Sequence, residues 1–177
     1  KLNQQRERRF KGQYTKQILN KVLAKPSGND WDTCAITPGT SFMKQLDIYV
    51  NNHFKNYPIP VIFTGSRDCG EGEHKIMQHI RNTKNTEKNA AIYGLDADLI
   101  MLGLNHLSYR KNIFLYRETP EFIKNIRKSL EPNKTYLLDM KILGQQTALE
   151  LAGEEGEVNY IHKMYDYISM CFMLGND

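Results

Sequence analysis

The chain has 177 residues, of which 40% are apolar and 25% charged, a composition typical of a globular protein and not of a disordered one. No stretch approaches the roughly 18 uninterrupted apolar residues that a membrane helix needs, so we expect no membrane partner. The net charge of +4 is unevenly spread: residues 1–25 hold eight basic residues and one acid, and the rest holds sixteen basic residues and nineteen acids. A cationic arm beside an acidic body is typical of a protein that binds a phosphate polymer, although a solvated helix face would show the same charge.

The first part of the chain predicts two helices and a short strand. Apolar residues recur every fourth position near the N-terminus and indicate a helix over residues 1–24. Thr40 or Ser41 is placed to cap a second helix that ends before Pro58. Residues 60–65 (PVIFTG) then predict a short buried strand.

The remainder of the chain alternates between helical and strand patterns. In order, we predict a helix from residue 71, a strand at 90–95, a helix through 104, strands at 113–116 and 136–139, and a buried helix at 158–174. This alternation predicts an α/β fold with a mostly parallel central sheet flanked by helices. Residues 119–157 give the least information.

Paired acidic residues stand where predicted strands end and helices begin. Glu71 and Glu73 lie at a loop-to-helix junction, Asp96 and Asp98 follow a strand directly, and Asp177 closes the chain. Because ligands collect at the carboxyl ends of strands in an open α/β sheet, these acids are candidates for one site. Converging carboxylates need cations to neutralise them, and hard oxygen ligands select Mg²⁺ or Mn²⁺. Each pair by itself is also typical of a helix start, where the helix dipole favours acids.

Five sequence strings, in this order, resemble the N-terminal catalytic region of the XRN family of 5′→3′ exoribonucleases. They are NQQRERRF at 3–10, ITPGT at 36–40, GEGEHKIM at 70–77, YGLDADLIMLGL at 93–104 and GND at 175–177. The two longest strings are the most specific. The matches span the whole chain, although residues 105–165 contribute no motif.

This resemblance implies a nuclease of the PIN/FEN-like superfamily whose acids hold two Mg²⁺ (or Mn²⁺) ions. The residues that fall on the family's metal-binding acids are Glu71, Glu73, Asp96, Asp98 and Asp177. The residues that fall on its phosphate pocket are Lys1, Gln5, Arg8 and Arg9. Within that pocket, Lys1 and Arg8 are expected at the scissile phosphate, and Gln5 and Arg9 at the terminal 5′-phosphate. On a helix these four positions share one face.

The implied function is Mg²⁺-dependent 5′→3′ degradation of single-stranded RNA that carries a 5′-monophosphate. Nucleoside 5′-monophosphates would be released one after another, as a step in RNA decay or processing. Two alternatives stay open. One is a structure-specific endonuclease of the same superfamily, and the other is an RNA-binding remnant of the fold without turnover. The sequence identifies no protein partner.

The chain also departs from the family. Cys69 stands where the family usually has proline, and the family's two earliest metal-binding acids and its base-stacking aromatic residues fall outside this segment. We therefore expect residues 1–177 to be an internal part of a single catalytic domain, with residues 1–25 as its basic phosphate-binding helix and with family segments missing on both sides. By themselves, these residues are expected to be inactive or weakly active.

The cysteines and the polar N-terminus suggest a reducing compartment. Cys34, Cys69 and Cys171 are odd in number and far apart, which argues against a disulfide framework. No secretory signal is visible. We expect an intracellular protein, cytoplasmic in preference to nuclear.

Overall fold

The computed structural model describes residues 2–24, 31–83, 88–119, 127–153 and 160–174. The chain divides into two compact units, Lys1–Gly70 and Glu71–Asp177. The prediction that both belong to a single catalytic domain stays a prediction.

The first unit consists of two α-helices and a 3₁₀-helix. Helix α1 is Leu2–Val22, a 3₁₀-helix is Thr33–Ile36, and helix α2 is Ser41–Phe54. Thr40 caps α2 as predicted, because its hydroxyl oxygen accepts a hydrogen bond from the Met43 N–H at 3.3 Å.

Polar contacts hold the segments of the first unit to one another. The guanidinium of Arg6 donates to the Pro38 carbonyl at 3.2 Å, and so ties α1 to the turn before α2. On α2, the buried Asp47 carboxylate accepts from the Ser66 N–H at 3.0 Å and from its hydroxyl at 2.8 Å. These bonds fix the turn that precedes Glu71 in the sequence.

The predicted strand at residues 60–65 is wrong. This segment lies among the described residues but adopts no regular structure, and Val61 and Ile62 are exposed. The physical reason is the lack of a partner: the described part of the first unit contains no other strand. An isolated strand leaves its N–H and C=O groups unpaired.

The second unit is built around a three-stranded sheet. Its strands are β1 (Ala90–Tyr93), β2 (Ile113–Glu118) and β3 (Thr135–Asp139), in that spatial order. Strand β1 pairs with β2 in parallel, and β2 pairs with β3 antiparallel, so the described sheet is mixed. Its helices are α3 (Gly72–Asn82), α4 (Asp98–Asn105), α5 (Met140–Ala152) and α6 (Tyr160–Met173). The predicted α/β class is confirmed.

One face of this sheet forms the core with the helices. Ile92, Leu115 and Leu138 align across the three strands. The buried core side chains that pack together with this face are Met77, Ile80, Leu99, Leu104, Ile113, Met140, Met164 and Ile168. Because α3 and α4 both contribute to it, the core fixes the two helices that begin at the paired acids.

Two features of the second unit differ from the sequence-based expectations. Helix α5 lies inside the stretch that the sequence left unassigned; Asp139 caps it by accepting from the N–H groups of Lys141 and Ile142. The last helix was expected to be buried, but Met170 and Met173 are exposed while Met164 is buried. Among the described residues, no helix combines the length and apolar character needed to cross a bilayer.

Candidate metal centre

The turn between β1 and α4 carries Asp96 and Asp98 and is held at three points. The Gly94 N–H donates to the Tyr116 carbonyl at 3.3 Å and prolongs the parallel pairing. From the neighbouring strand, Arg117 donates to the Leu95 carbonyl at 2.9 Å. The third point is a close approach, because a Cβ at Gly94 would lie 2.2 Å from the Leu99 side chain. A larger residue here would therefore force the buried Leu99 side chain to move.

The other two acids lie at the start of α3. Glu71 occupies the N-cap position with extended backbone, and Glu73 lies in the first helical turn. The apolar residues Met77 and Ile80, one and two turns further along, are buried in the core. Their burial turns α3 so that its first turn faces the β1–α4 turn.

Four carboxylates come together at these two helix starts, and we call Glu71, Glu73, Asp96 and Asp98 the acidic cluster. Ligand oxygens of Glu73, Asp96 and Asp98 all lie within 4.8 Å of one another. Glu73 belongs at the same time to a second group, in which ligand atoms of Glu71, Glu73 and His74 lie within 4.8 Å of one another. Glu73 thus joins the two groups.

Bringing the carboxylates of the acidic cluster together makes the charged form of Glu73 less favourable. Burial raises the pKa of Glu73, and a hydrogen bond with Glu71 together with the negative charges of Glu71, Asp98 and Asp96 raises this pKa further. Both effects disfavour the charged form of Glu73. A cation between these oxygens would reverse the balance.

Helix capping does not account for the acids. The side chain of Glu71 makes no capping hydrogen bond to α3, and the N-cap position of α4 is occupied by Ala97. Asp96 accepts only one long hydrogen bond from this helix start, 3.5 Å from the Asp98 N–H. Closely spaced hard oxygen donors under mutual repulsion are what a divalent cation such as Mg²⁺ or Mn²⁺ binds. The acidic cluster therefore fits a metal ion.

The predicted phosphate-binding residues lie on α1, in the first unit. Gln5 and Arg8 are exposed, and Arg9 is half-buried. Arg9 donates to the Ile36 carbonyl at 3.2 Å and to the Thr37 hydroxyl at 3.3 Å, so its guanidinium also fastens α1 to the 3₁₀-helix. Helical spacing keeps all three side chains on one side of α1. Their role in binding phosphate stays a prediction.

Two predicted site residues lie outside the described residues, and one residue beside the acidic cluster is a further candidate ligand. Lys1 and Asp177 are the residues without a described position. The further candidate is His74, whose ring offers a ligand atom in the same group as Glu71 and Glu73. Its place directly after Glu73 was the only signal in the sequence.

Comparison with known proteins gives a consistent set of relatives. The family described as XRN 5′-3′ exonuclease N-terminus matches residues 1–119. The chain is 37% identical over 201 residues to 5′-3′ exoribonuclease 1 of Saccharomyces cerevisiae, and 38% over 205 residues to that of Schizosaccharomyces pombe. Against 5′-3′ exoribonuclease 1 of Homo sapiens it is 32% identical over 203 residues. Each alignment covers 100% of this chain but only 13%, 15% and 12% of the respective relative.

Proposed function

Because the chain belongs to the XRN 5′-3′ exonuclease family, we propose that it contributes the metal centre and a phosphate-binding helix to a 5′→3′ exoribonuclease. The proposed substrate is single-stranded RNA with a 5′-monophosphate, degraded to nucleoside 5′-monophosphates. The observation that carries this proposal is the acidic cluster, in which Glu73, Asp96 and Asp98 offer oxygens within 4.8 Å of one another. Relatives of this chain carry the name 5′-3′ exoribonuclease.

The metal would be Mg²⁺ or Mn²⁺, and we propose two ions. Glu71, Glu73, Asp96 and Asp98 would hold them, together with Asp177. When bound, such ions supply Lewis-acid stabilisation of the charge that develops on a cleaved phosphodiester. The acids themselves fix the cations at the carboxyl end of β1. His74 would orient the Glu71 or Glu73 carboxylate, or serve as a ligand itself.

The basic face of α1 would hold the RNA end. Arg8 and Arg9 offer planar guanidinium groups that can bind a phosphate through two parallel hydrogen bonds, and Lys1 offers a point charge. Lys1 and Arg8 would stabilise charge on the scissile phosphate. Gln5 and Arg9 would bind the terminal phosphate. A pocket with room for one phosphate would exclude a capped or triphosphorylated end.

The chain spans between 12% and 15% of the length of these relatives, so the activity is proposed for the catalytic domain as a whole. We propose that residues 1–177 form one part of that domain. Intracellular location, in the cytoplasm, is likewise proposed.

The test is a cleavage assay on the protein in its natural length, with three RNAs of one sequence that differ only at the 5′-end. With Mg²⁺, the 5′-monophosphate RNA should yield mononucleotides much faster than the 5′-hydroxyl and capped RNAs. Asp98→Asn should remove this activity, and the exposed Glu150→Gln serves as a matched control outside the acidic cluster. Faster cutting of a branched DNA at its junction would favour the endonuclease alternative. RNA binding without any product would favour the remnant.

A further inference from the structure

A hydrogen bond joins the C-terminal ends of the two helices that carry the acidic cluster. Nη1 of Arg81, near the end of α3, lies 2.6 Å from Nε2 of His106, which directly follows α4. Nδ1 of the same ring lies 2.7 Å from the Leu102 carbonyl oxygen. Because a carbonyl oxygen only accepts, Nδ1 carries the ring proton. Nε2 of the neutral ring is then the acceptor for the Arg81 guanidinium.

The surroundings keep this ring in its accepting form. His106 is buried, with 3% of its surface exposed. Burial and the charge of Arg81 lower its pKa, against the opposing effect of the Leu102 carbonyl. A protonated ring would point an N–H donor at the guanidinium and lose the bond. The contact is therefore a directed hydrogen bond from a cation to a neutral acceptor.

The acidic cluster occupies the opposite ends of the same two helices. Arg81 lies eight residues beyond Glu73, which is about 12 Å along the helix. Between these points, α3 is anchored by two buried side chains among its described residues, Met77 and Ile80. At the N-terminal ends of α3 and α4, the carboxylates of Glu73 and Asp98 repel each other. The attraction that aligns the two helices therefore comes from the hydrophobic core and from the hydrogen bond at their C-terminal ends.

We propose that Arg81 and His106 are positioning residues of the metal centre. Their hydrogen bond sets the position of α3 against α4, and so keeps Glu71 and Glu73 within reach of Asp96 and Asp98. Both residues lie outside the acidic cluster. The inference rests on the proposed function of the acidic cluster as a metal centre.

Two matched substitutions of His106 separate the two bonds of the ring. In His106→Gln the amide oxygen reaches the position of Nε2 and can accept from Arg81. In His106→Asn the shorter amide reaches only the position of Nδ1, so the bond to the Leu102 carbonyl survives and the bond to Arg81 does not. Arg81→Met removes the donor at an exposed position and leaves the core intact.

The experiment measures the Mn²⁺ affinity of the protein in its natural length by electron paramagnetic resonance, with thermal unfolding recorded for each variant. Arg81→Met and His106→Asn should each weaken Mn²⁺ binding by about 5- to 10-fold, a range typical of coupling through packed networks. The double variant Arg81→Met with His106→Asn should bind no more weakly than either single variant, since both remove the same bond. His106→Gln should stay within about 2-fold of the unmodified chain.

A merely structural role gives a different result. In that case Arg81→Met and His106→Asn would lower the unfolding temperature and leave Mn²⁺ affinity unchanged, which would overturn the proposal. Equal affinity of His106→Gln and His106→Asn would also overturn it. If the unmodified chain fails to bind Mn²⁺, or binds it equally well after Asp98→Asn, the metal centre itself is refuted and the proposal with it. The unmodified chain and Asp98→Asn both keep Arg81 and His106, so a failure of the metal centre is distinguished from a failure of the positioning proposal.

Discussion

The two compact units hold their candidate functional residues in different ways. In the described part of the first unit, only Cys34, Thr37 and Asp47 are buried. Phe10, Tyr14, Ile18, Leu19 and Val22 of α1 are all exposed. Hydrogen bonds from Arg6 to the Pro38 carbonyl and from Arg9 to the Ile36 carbonyl tie α1 to the rest of the unit.

The second unit surrounds its acids with a hydrophobic core. Leu99, directly after Asp98, and Met77, one turn beyond Glu73, are both buried. Carboxylates that repel one another are therefore held by packing energy that the site itself does not supply. The comparison indicates that packing holds the acidic cluster in place, whereas on the basic face of α1 Gln5 and Arg8 are exposed and only Arg9 is held by hydrogen bonds.

The largest effect should come from removing one acid of the cluster. Asp98→Ala should slow RNA cleavage by at least about 1000-fold, since a metal contributes several kcal/mol to such reactions. RNA binding should persist, because α1 retains its cations. Cleavage rates of this variant test the loss of activity, and filter-binding affinities test whether RNA binding persists. Undiminished turnover would remove Asp98 from the site.

A smaller effect is expected at the basic helix, where two arginines differ in their contacts. Arg9→Ala should reduce the preference for a 5′-monophosphate by about 10- to 150-fold, the equivalent of about 1.5–3 kcal/mol for a hydrogen bond to a charged group. Arg8→Ala, at the proposed scissile-phosphate position, should slow cleavage of the 5′-monophosphate and 5′-hydroxyl RNAs to the same extent. Arg9→Ala should also lower stability, because Arg9 bonds to Ile36 and Thr37. Paired cleavage and thermal unfolding measurements test this. If Arg9→Ala lowers stability but leaves the preference for a 5′-monophosphate unchanged, Arg9 has only a structural role.

Two glycines test the contrast in packing directly. A Cβ at Gly94 would lie 2.2 Å from a Leu99 side chain that is itself buried, so Gly94→Ala should cost about 1–3 kcal/mol of unfolding free energy. A Cβ at Gly12 in α1 meets nothing within 4 Å, so Gly12→Ala should stabilise the helix by about 0.5–1 kcal/mol. Urea unfolding of both variants provides the comparison. Equal effects would contradict it.

Removing one charge from the acidic cluster should stabilise the metal-free chain. In Glu73→Gln the repulsion by Glu71, Asp96 and Asp98 is relieved, so the unfolding midpoint should rise slightly, by no more than about 2 °C for a partly exposed group. Metal binding should fall at the same time. The exposed Glu150→Gln is the control and should change neither. A destabilised Glu73→Gln would mean that its carboxylate is held by attraction, against the account.

The weakest effect concerns pH and His106. Its pKa in the folded chain is lowered, so its contribution to stability is fully present above the ordinary pKa of the imidazole and is lost as pH falls through the folded value. Arg81 from α3 and the Tyr109 ring, 5.8 Å away between centroids, face this group. Urea unfolding at pH 7.5 and 5.5 should show a greater loss for the unmodified chain than for His106→Gln. Equal losses would contradict the neutral assignment.

Local signals predicted most of this fold, and long-range contacts account for the errors. The four-residue spacing of Phe10 and Tyr14 predicted α1, and Thr40 marked the start of α2. Residues 60–65 had strand composition, but pairing depends on a distant partner that the local pattern does not contain. Helix α5 was overlooked because its apolar residues show little periodicity.

In the candidate site, too, local features were predicted from the sequence and long-range contacts were not. The acids were predicted from their position after β1 and before α3. The contacts that hold them, such as Arg117 to the Leu95 carbonyl and Arg81 to His106, join residues 22 and 25 positions apart. Such pairs carry no spacing signal in one sequence.

The most direct test of the acidic cluster as a metal centre is a crystal structure of the protein in its natural length with Mn²⁺, recorded with anomalous scattering. The account predicts an anomalous peak within about 2.3 Å of carboxylate oxygens of Glu73 and Asp96 or Asp98, in keeping with hard-cation ligand distances. It also predicts that Asp98→Asn crystals, grown and soaked in the same way, lose that peak or show it much weakened. An acidic cluster that is well ordered and holds no Mn²⁺, with the ion bound elsewhere, would contradict the account.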